Sequence, residues 1–320
     1  MRAVTIGSDK TLGLQVRPDP VAGPNDVVVR VRAAGLNAAD LQQAAGHYQA
    51  PAGWPADVPG LEVAGEVEQV GAAVTGVARG DRVMALIGGG GQAERVAVPA
   101  DLLVPVPETL SWAEAAGFPE AFSTAWDALV SQAGVRAGDR VLVTGAAGGV
   151  GTAMLQIAAV SGAHVVASVR RTELHEPVKA LLGGTNVDVI TPDGEKEHGP
   201  YNIIVDLVGG EACLDRVMML ARQGTLMVVG LLAPVPTTAP WWLGHLLLQR
   251  CRVIGTTIRG RTNAEKATLA RDIAGAVVPL LAAGRVRVPV DSTFPLEKWA
   301  EAYERLRGPG KLGKIVLAAD

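Results

Sequence analysis

The stretch Val141–Gly151, with the sequence VLVTGAAGGVG, decides the fold of this chain. Its first three residues are apolar and β-forming, and they lead directly into a glycine-rich turn. The glycines of that turn are Gly145, Gly148, Gly149 and Gly151. Apolar residues at helical spacing follow over Thr152–Val160, and His164–Val169 predicts a second strand. A strand, a glycine turn, a helix and a strand within about 30 residues are typical of a dinucleotide-binding βαβ unit.

The glycines have a physical role in such a unit. A side chain at Gly145 or Gly148 would keep the backbone away from a pyrophosphate, and Gly151 lets the helix pack close to the strand. The helix N-terminus offers free N–H groups and a partial positive charge to phosphates. The spacing here is G-x-x-G-x-x-G rather than G-x-G-x-x-G, so a merely structural strand-to-helix turn is the alternative interpretation.

Composition restricts the class of protein. The chain has 320 residues, of which 48% are hydrophobic and 19% charged, as expected for a well-packed globule of one to three domains. A net charge of −3 gives no reason to expect nucleic acid or an anionic membrane as a partner. Cys213 and Cys251 are the only cysteines, which excludes a disulfide scaffold and suits a reducing cytoplasm. The start, MRAVTIGSD, lacks the apolar segment of a signal peptide, and no apolar run reaches about 18 residues.

Two parts of the chain differ in pattern. Residues 1–120 contain short alternating strands with glycine and proline between them, which predicts an antiparallel, barrel-like β domain. The strands predicted there are Asp26–Ala33, Glu62–Val70, Asp81–Ile87 and Glu94–Val98. Asn37–Gly46 predicts a short helix that Asn37 caps.

From residue 121 onward strands and helices alternate, which predicts a doubly wound parallel sheet. The strands predicted there are Arg140–Thr144, His164–Val169, Val187–Ile190, Asn202–Leu207, Thr225–Gly230 and Arg252–Ile258. The helices predicted there include Thr152–Val160, Pro177–Leu182, Cys213–Leu220 and Trp242–Gln249. After a longer helical segment, Val286–Val290, Glu297–Leu306 and Lys314–Leu317 predict a strand, a helix and a strand that return to the first domain. We therefore predict an α/β chain with a β-rich domain at 1–120 and 261–320 and a dinucleotide-binding domain at 121–260.

The end of the second βαβ strand indicates which dinucleotide binds. NAD-dependent enzymes place an Asp or Glu there for the ribose 2′-hydroxyl, whereas a 2′-phosphate needs a cation. Here the strand ends with Ser168 and Val169 and is followed by Arg170 and Arg171. Arginine binds phosphate through paired hydrogen bonds, so the sequence favours NADPH over NADH. The alternative is that the two arginines form a solvated turn.

The motifs resemble those of one known family. The segments that carry the resemblance, in chain order, are GLNAADLQQAAGHY (Gly35–Tyr48), PGLEVAGEVEQVG (Pro59–Gly71), GGGQAERVAVP (Gly89–Pro99), PEAFSTAW (Pro119–Trp126), VTGAAGGVGTA (Val143–Ala153), DLVGG (Asp206–Gly210), GLL (Gly230–Leu232) and GKIVL (Gly313–Leu317). The chain resembles the zinc-independent medium-chain dehydrogenases and reductases of the quinone oxidoreductase, or zeta-crystallin-like, group, and within it the p53-inducible quinone reductase branch. The resemblance implies a GroES-like catalytic domain, a Rossmann domain and a cofactor in the cleft between them.

The resemblance also bears on metal chemistry. Zinc-dependent members of the superfamily have a Cys in the first segment and a His after the Gly of the second, and this chain has Asn37 and Leu61 at those places. Glu62 alone is no zinc site, and two distant cysteines with five scattered histidines do not supply one. We therefore expect no bound metal. A quinone or activated C=C bond suits such a site, because the substrate itself delocalises the incoming charge.

Further site residues follow from the resemblance. On the substrate side it implies Asn37, Asp40 and Tyr48, with Tyr48 as a hydrogen-bond or proton donor. The alternatives are that Tyr48 only covers the cleft and that Asp40 only caps its helix. The candidates on the cofactor side, from the glycine turn, from the end of the second strand and from the resemblance together, are Thr124, Gly145, Gly148, Gly149, Val150, Gly151, Thr152, Ser168, Arg170, Arg171, Val208, Gly209, Gly230, Leu231 and Leu232. The family often has a Tyr near the 2′-phosphate, which the segment Asp188–Thr191 lacks.

Three functional hypotheses remain open at this point. The first is an NADPH-dependent quinone reductase without a metal, and the second is a reductase of enones or enoyl thioesters. The third is a non-catalytic NADPH-binding protein. The resemblance also implies a homodimer, in which the edge strand Arg252–Ile258 pairs with a second subunit, and Trp241 and Trp242 form either a pocket wall or an interface patch.

Overall fold

The computed structural model describes residues 1–183, 186–230, 245 and 248–319. Its strands are β1 (Arg2–Ile6), β2 (Leu12–Val16), β3 (Asp26–Leu36), β4 (Glu62–Val70), β5 (Arg82–Leu86), β6 (Arg95–Pro99), β7 (Leu103–Pro105), β8 (Arg140–Thr144), β9 (His164–Ser168), β10 (Val187–Ile190), β11 (Tyr201–Asp206), β12 (Leu220–Val228), β13 (Arg252–Gly255), β14 (Val290–Pro295) and β15 (Lys314–Ala318). Its α-helices are α1 (Ala38–Ala44), α2 (Trp112–Ala116), α3 (Pro119–Trp126), α4 (Gly149–Val160), α5 (His175–Leu181), α6 (Glu211–Val217), α7 (Asn263–Ala276), α8 (Val278–Ala282) and α9 (Trp299–Arg307). A π-helical segment, Asp127–Gln132, continues α3.

The chain divides into two compact units. The first contains Met1–Ser123 and Ile258–Asp320, and the second contains Thr124–Thr257. None of the described helices combines the length and the apolar character needed to cross a membrane.

The first unit is built on a seven-stranded sheet. Its order is β14-β15-β3-β4-β5-β7, and β6 also pairs with β3. Antiparallel pairing of β15 with β3 brings the last strand of the chain back beside one of the first. Inward-facing valines such as Val27, Val29 and Val31 of β3 pack with Val63 and Val83 in its core, as the alternating sequence predicts.

The second unit is a six-stranded parallel sheet. Its order is β10-β9-β8-β11-β12-β13, and each neighbouring pair is parallel. The strand order reverses between β8 and β11, and ligands of doubly wound sheets bind beyond the carboxyl ends of the strands at such a reversal. The prediction of a doubly wound parallel sheet is confirmed.

Three sequence predictions of secondary structure differ from the structure, and one of them is the strand predicted at Arg252–Ile258, because β13 ends at Gly255. The pattern of Val286–Val290 predicts a strand, but β14 begins only at Val290. Val286 and Val288 are buried, which gives the segment its alternating pattern, and Pro289 has no N–H to donate to a ladder. The helix predicted at Cys213–Leu220 covers Glu211–Val217 instead, because Leu220 already opens β12.

A predicted helix and several predicted site residues lie wholly or partly outside the described residues. They are the helix Trp242–Gln249, Trp241, and the cofactor-binding candidates Leu231 and Leu232.

Candidate functional site

The glycine turn of the second unit lies between β8 and α4, at the carboxyl end of the sheet. Gly145 has a φ of +60°, and Gly148 is the N-cap of α4. A Cβ atom on Gly151 would lie 2.5 Å from the carbonyl oxygen of Gly145, so a side chain cannot be accommodated there. Thr152 donates its N–H to the carbonyl of Gly148, which leaves the N–H groups of the first helical positions, from Gly149 on, without partners inside the helix. This is a cradle for an anion.

The loop after β11 lies beside this turn. Asp206 Oδ1 accepts hydrogen bonds from the N–H groups of Val208 and Gly209, both at 2.8 Å, and from Thr144 Oγ1 at 3.1 Å. A Cβ atom on Gly145 would lie 3.5 Å from Val208 Cγ2. The structure therefore brings together the residues that the sequence assigned to the pyrophosphate and to the adenosine side.

Gly230 follows β12 and closes the same end of the sheet. Its N–H donates to the carbonyl of Asp206 at 3.1 Å. A side chain on Gly230 would collide with the backbone of Leu207. Only glycine fits this close approach of two backbones.

A buried network of ion pairs and hydrogen bonds holds Asp206, which in turn binds the loop after β11. Arg216 Nη1 donates to Asp206 Oδ2 at 2.8 Å, and Arg216 Nε donates to Glu195 Oε2 at 2.8 Å. Ser168 Oγ donates to Glu195 Oε1 at 2.6 Å. The hydroxyl of Ser168 is therefore engaged inside the unit, and the assignment of this residue to the cofactor stays a prediction.

The two arginines after β9 differ in their surroundings. Arg171 forms an ion pair with Glu173 at 2.8 Å. Arg170 is exposed, and its guanidinium has no hydrogen bond or ion pair with any described residue. Of the two, Arg170 is the cation that is available to a phosphate.

Thr124 is buried in α3, and its hydroxyl has no hydrogen-bond partner among the described residues. A buried hydroxyl without a partner is costly unless water or a ligand satisfies it. The glycine turn, the close approach at Gly230 and this hydroxyl all fit a bound dinucleotide.

Asn37, Glu62 and Lys314 form a buried polar cluster in the first unit. Lys314 Nζ donates to Glu62 Oε1 at 2.5 Å, to Asn37 Oδ1 at 2.6 Å and to the carbonyl of Leu36 at 3.1 Å. Asn37 Nδ2 donates to Glu62 Oε1 at 2.9 Å. Because an ammonium only donates and a carboxylate only accepts, these two neighbours determine which way the Asn37 amide points.

Four segments that are distant in sequence supply this cluster. Asn37 follows β3, Glu62 begins β4, and Lys314 begins β15. From α3, the N–H of Glu120 donates to Glu62 Oε2 at 2.8 Å. Gly35 has no room for a side chain, because the Glu62 carboxylate and the carbonyl of Ala116 lie against it.

Glu120 places a second carboxyl group beside the first. Its Oε2 is buried and has no hydrogen-bond partner among the described residues. Burial raises the pKa of Glu120 to about 7, and the nearby charge of Glu62 adds to the rise, while Lys314 opposes it. Near neutral pH this group is therefore divided between its protonated and its ionised form.

Asp40 has the contacts of a helix cap. Its Oδ2 accepts from the N–H of Asn37 at 2.8 Å, and its Oδ1 accepts from the N–H of Gly60 at 3.2 Å. Burial raises the pKa of Asp40 to about 6. These contacts orient the start of α1, and a direct catalytic role for Asp40 stays a prediction.

Tyr48 lies in the loop between α1 and β4. Its carbonyl accepts from Arg259 Nη1 at 2.9 Å, and the Arg259 guanidinium lies 4.9 Å from the centre of its ring. His47 beside it is exposed. The structure places Tyr48 and Asn37 in the same unit.

The donor set does not fit a zinc ion. No group of three or more His, Cys, Asp and Glu residues within the described ranges is arranged to hold a metal. Leu61 is apolar and buried, and beside Glu62 lies the ammonium of Lys314 rather than a second metal ligand.

Sequence reasoning missed Lys314, Glu120 and Arg259 as parts of the site. Lys314 and Glu120 lie within segments that carried the family resemblance, and a charged residue at the start of an otherwise apolar strand was an available signal. No periodic pattern links Arg259 to Tyr48, because their contact spans most of the chain.

The chain is similar to known proteins of one family. Residues 23–108 match the family model of the alcohol dehydrogenase GroES-like domain, and residues 161–317 match the model named zinc-binding dehydrogenase. The quinone oxidoreductase of Mus musculus is 31% identical over 334 residues, which cover 99% of this chain and 97% of that protein. The synaptic vesicle membrane protein VAT-1 homolog of Rattus norvegicus is 32% identical over 331 residues, covering 97% of this chain and 81% of that one.

A solved structure is also similar. The quinone oxidoreductase of Thermus thermophilus, solved alone and in complex with NADPH, has a TM-score of 0.83 at 33% identity and covers 99% of this chain and 100% of its own. The GroES-like and Rossmann fold class is confirmed.

The raised pKa of Glu120 predicts a pH-dependent effect of Glu120→Gln on stability. The carboxyl of Glu120 has a pKa of about 7 in the folded protein and its ordinary pKa of 4.5 in the unfolded chain. The folded state therefore binds this proton more tightly, which stabilises the fold at low pH. That contribution is lost as the pH rises from 4.5 to 7. Glutamine does not ionise. Relative to wild type, the variant should gain about 2 kcal/mol in unfolding free energy between pH 5 and pH 8, measured by urea titration.

Glu108→Gln, at an exposed position of the same unit, is the matched control and should follow the wild-type pH dependence. Parallel curves for Glu120→Gln and wild type would show that Glu120 titrates normally.

Proposed function

Because the chain belongs to the quinone oxidoreductase family of medium-chain dehydrogenases and reductases, we propose that it is an NADPH:quinone oxidoreductase that works without a metal. It is an NAD(P)-dependent oxidoreductase at the level of the family. The finer assignment to the p53-inducible branch stays a prediction. NADPH, when bound, supplies the hydride.

The single observation that carries the proposal is the position of the Lys314 ammonium. It contacts Asn37 and Glu62, and Asn37 stands where the zinc-dependent relatives have a metal-ligating cysteine. A cation is therefore already present beside Glu62, and it belongs to the protein. Substrates that need a Lewis acid to stabilise an alkoxide are poor candidates, whereas a quinone delocalises the charge itself.

The polar groups of the first unit then have defined tasks. One N–H of Asn37 Nδ2 is used by Glu62, and the other is left to donate to the acceptor oxygen as negative charge develops on it. The phenol of Tyr48 is proposed as a second donor. Glu120, with its pKa of about 7, is proposed to supply or accept a proton beside the Asn37 and Glu62 cluster.

The second unit is proposed to hold the cofactor. The N–H groups at the start of α4 bind the pyrophosphate, and Arg170 binds the 2′-phosphate. The preference for NADPH is supported by two features, the absence of an acidic residue at the end of β9 and the guanidinium of Arg170, which no described residue pairs. Thr124 is proposed to contact the cofactor through its unsatisfied hydroxyl.

We also propose a homodimer and a cytoplasmic location. β13 lies at the edge of the six-stranded sheet, and Val253 on that strand is 43% exposed. An apolar edge strand requires cover, which a second copy would supply. Cys213 and Cys251 are both free thiols, as suits a reducing compartment.

An acceptor panel tests the proposed reaction. NADPH oxidation is followed by absorbance with 1,2-naphthoquinone, a conjugated enone and an enoyl thioester in parallel. We expect the highest kcat/KM with the quinone. Asn37→Ala should lower kcat with the quinone about 100-fold, the usual effect of removing one donor to a developing oxyanion. A higher kcat/KM with the enone or thioester would assign the protein to C=C reduction, and tight NADPH binding without turnover would make it a binding protein.

The cofactor preference has its own test. Arg170→Ala should weaken NADPH binding about 10- to 100-fold, since a charge-assisted hydrogen bond is lost, and leave NADH binding unchanged. Arg171→Ala, which removes an arginine already paired with Glu173, should change NADPH binding much less. Arg222→Ala is an exposed control on β12. Equal NADPH affinity in wild type and both variants would contradict the assignment.

A further inference from the structure

The loop that carries Tyr48 is fastened to the rest of the first unit at several points. It runs from Ala45 to Leu61, between α1 and β4. Lys10 Nζ donates to the carbonyl of Ala45 at 3.2 Å. Further along, the carbonyl of Asp57 accepts from the N–H of Ile6 at 2.7 Å. Around Tyr48, the contacts converge on one side chain, Arg259.

Arg259 is only 2% exposed and contacts three distant segments. Its Nη1 donates to the carbonyl of Tyr48 at 2.9 Å, its Nη2 to Gln43 Oε1 at 2.5 Å, and its Nε to the carbonyl of Gly88 at 3.2 Å. The same guanidinium lies 4.9 Å from the centre of the Tyr48 ring. It therefore holds both the backbone and the ring of Tyr48.

Gln43 links Arg259 to Ala56, further along the loop. Its Nε2 donates to the carbonyl of Ala56 at 3.0 Å while its Oε1 accepts from Arg259. The ring of Trp54 packs against Gly88 so closely that Gly88 has no room for a side chain. Tyr48 is thus bound by Arg259 itself, Ala56 by the Gln43 side chain that Arg259 holds, and Trp54 packs on the turn at Gly88 that Arg259 binds.

The charge of Arg259 is costly in this position. Its three hydrogen-bond acceptors are neutral, being two carbonyls and an amide, and burial lowers its pKa. An apolar side chain of similar size would fill the space without that cost, but it could not bind three acceptors in fixed directions. The planar fork of donors is the property that only arginine supplies.

We propose that Arg259 is a positioning residue that fixes the Tyr48 loop, so that the phenol of Tyr48 is held ready for the acceptor. This inference rests on the proposed function of Tyr48 as a donor. Arg259 itself acts through Tyr48 and not on the substrate. Its role is to keep the tyrosine in one orientation, because small displacements of a donor reduce the rate strongly.

The test compares Arg259→Lys with Arg305→Lys. Lysine keeps the charge of Arg259 but not its fork of donors. Arg305 is a control in the same unit, since its guanidinium also binds three residues, with hydrogen bonds to Asp291 and to the carbonyls of the adjacent residues Pro309 and Gly310. With 1,2-naphthoquinone, Arg259→Lys should lower kcat at least 10-fold and leave the Kd of NADPH within 2-fold. Arg305→Lys, at a more exposed position, should lower the Tm less and leave kcat within 2-fold.

A double-mutant cycle with Tyr48→Phe separates positioning from general destabilisation. If Arg259 acts through the phenol, Arg259→Lys should cost less than 2-fold in kcat when Tyr48 is already phenylalanine. Equal losses in the two backgrounds, or an unchanged kcat in Arg259→Lys, would overturn the proposal.

Amide hydrogen exchange measures the anchoring of the loop without any turnover assay. The amides of residues 47–57 should exchange at least 10-fold faster in Arg259→Lys than in wild type and Arg305→Lys. Absence of quinone turnover in the wild-type protein would refute the proposed function, whereas unchanged exchange in this loop would refute the anchoring by Arg259.

Discussion

The buried ion pair between Glu62 and Lys314 is the interaction on which the first unit's site depends. Both side chains are almost completely buried, at 0% and 3% exposure, and their charges are 2.5 Å apart. Desolvation offsets much of the attraction in such a pair, so the pair adds little to the free energy of unfolding. Its main effect is to fix the positions of the groups around it. It orients the amide of Asn37, and it joins the ends of β3, β4 and β15 to the start of α3.

The second unit uses the same device at the carboxyl end of its sheet. Arg216 binds Asp206 and Glu195, and Asp206 in turn holds the loop at Val208 and Gly209 beside the glycine turn. Each unit therefore has a buried cation, Lys314 or Arg216, that is paired with acidic side chains next to the residues proposed to act. Charges that the sequence spreads over distant segments become, after folding, the supports of backbone loops.

The sequence predicted those parts of the molecule that depend on local pattern. The glycine turn, the strands β4, β8 and β10 and the parallel sheet follow from periodicity and from the steric demands of glycine. Prediction failed where alternating apolar residues are buried but form no strand hydrogen bonds, as in residues 286–289 before β14. It also failed for Lys314, Glu120 and Arg259, because the partners of a buried charge are set by tertiary contacts between distant segments, and a single sequence does not contain that pairing.

The rate of hydride transfer from saturating NADPH to 1,2-naphthoquinone in a single turnover of the double variant Glu62→Gln, Lys314→Met tests the central claim most directly. Removing both charges together leaves neither member of the pair as an unpaired buried ion, so this variant should be far less destabilised than either single variant. Loss of the fixed Asn37 amide should slow the transfer by about 10- to 100-fold while NADPH affinity is retained. A wild-type rate in the folded variant would contradict the claim that this ion pair positions the site for reaction.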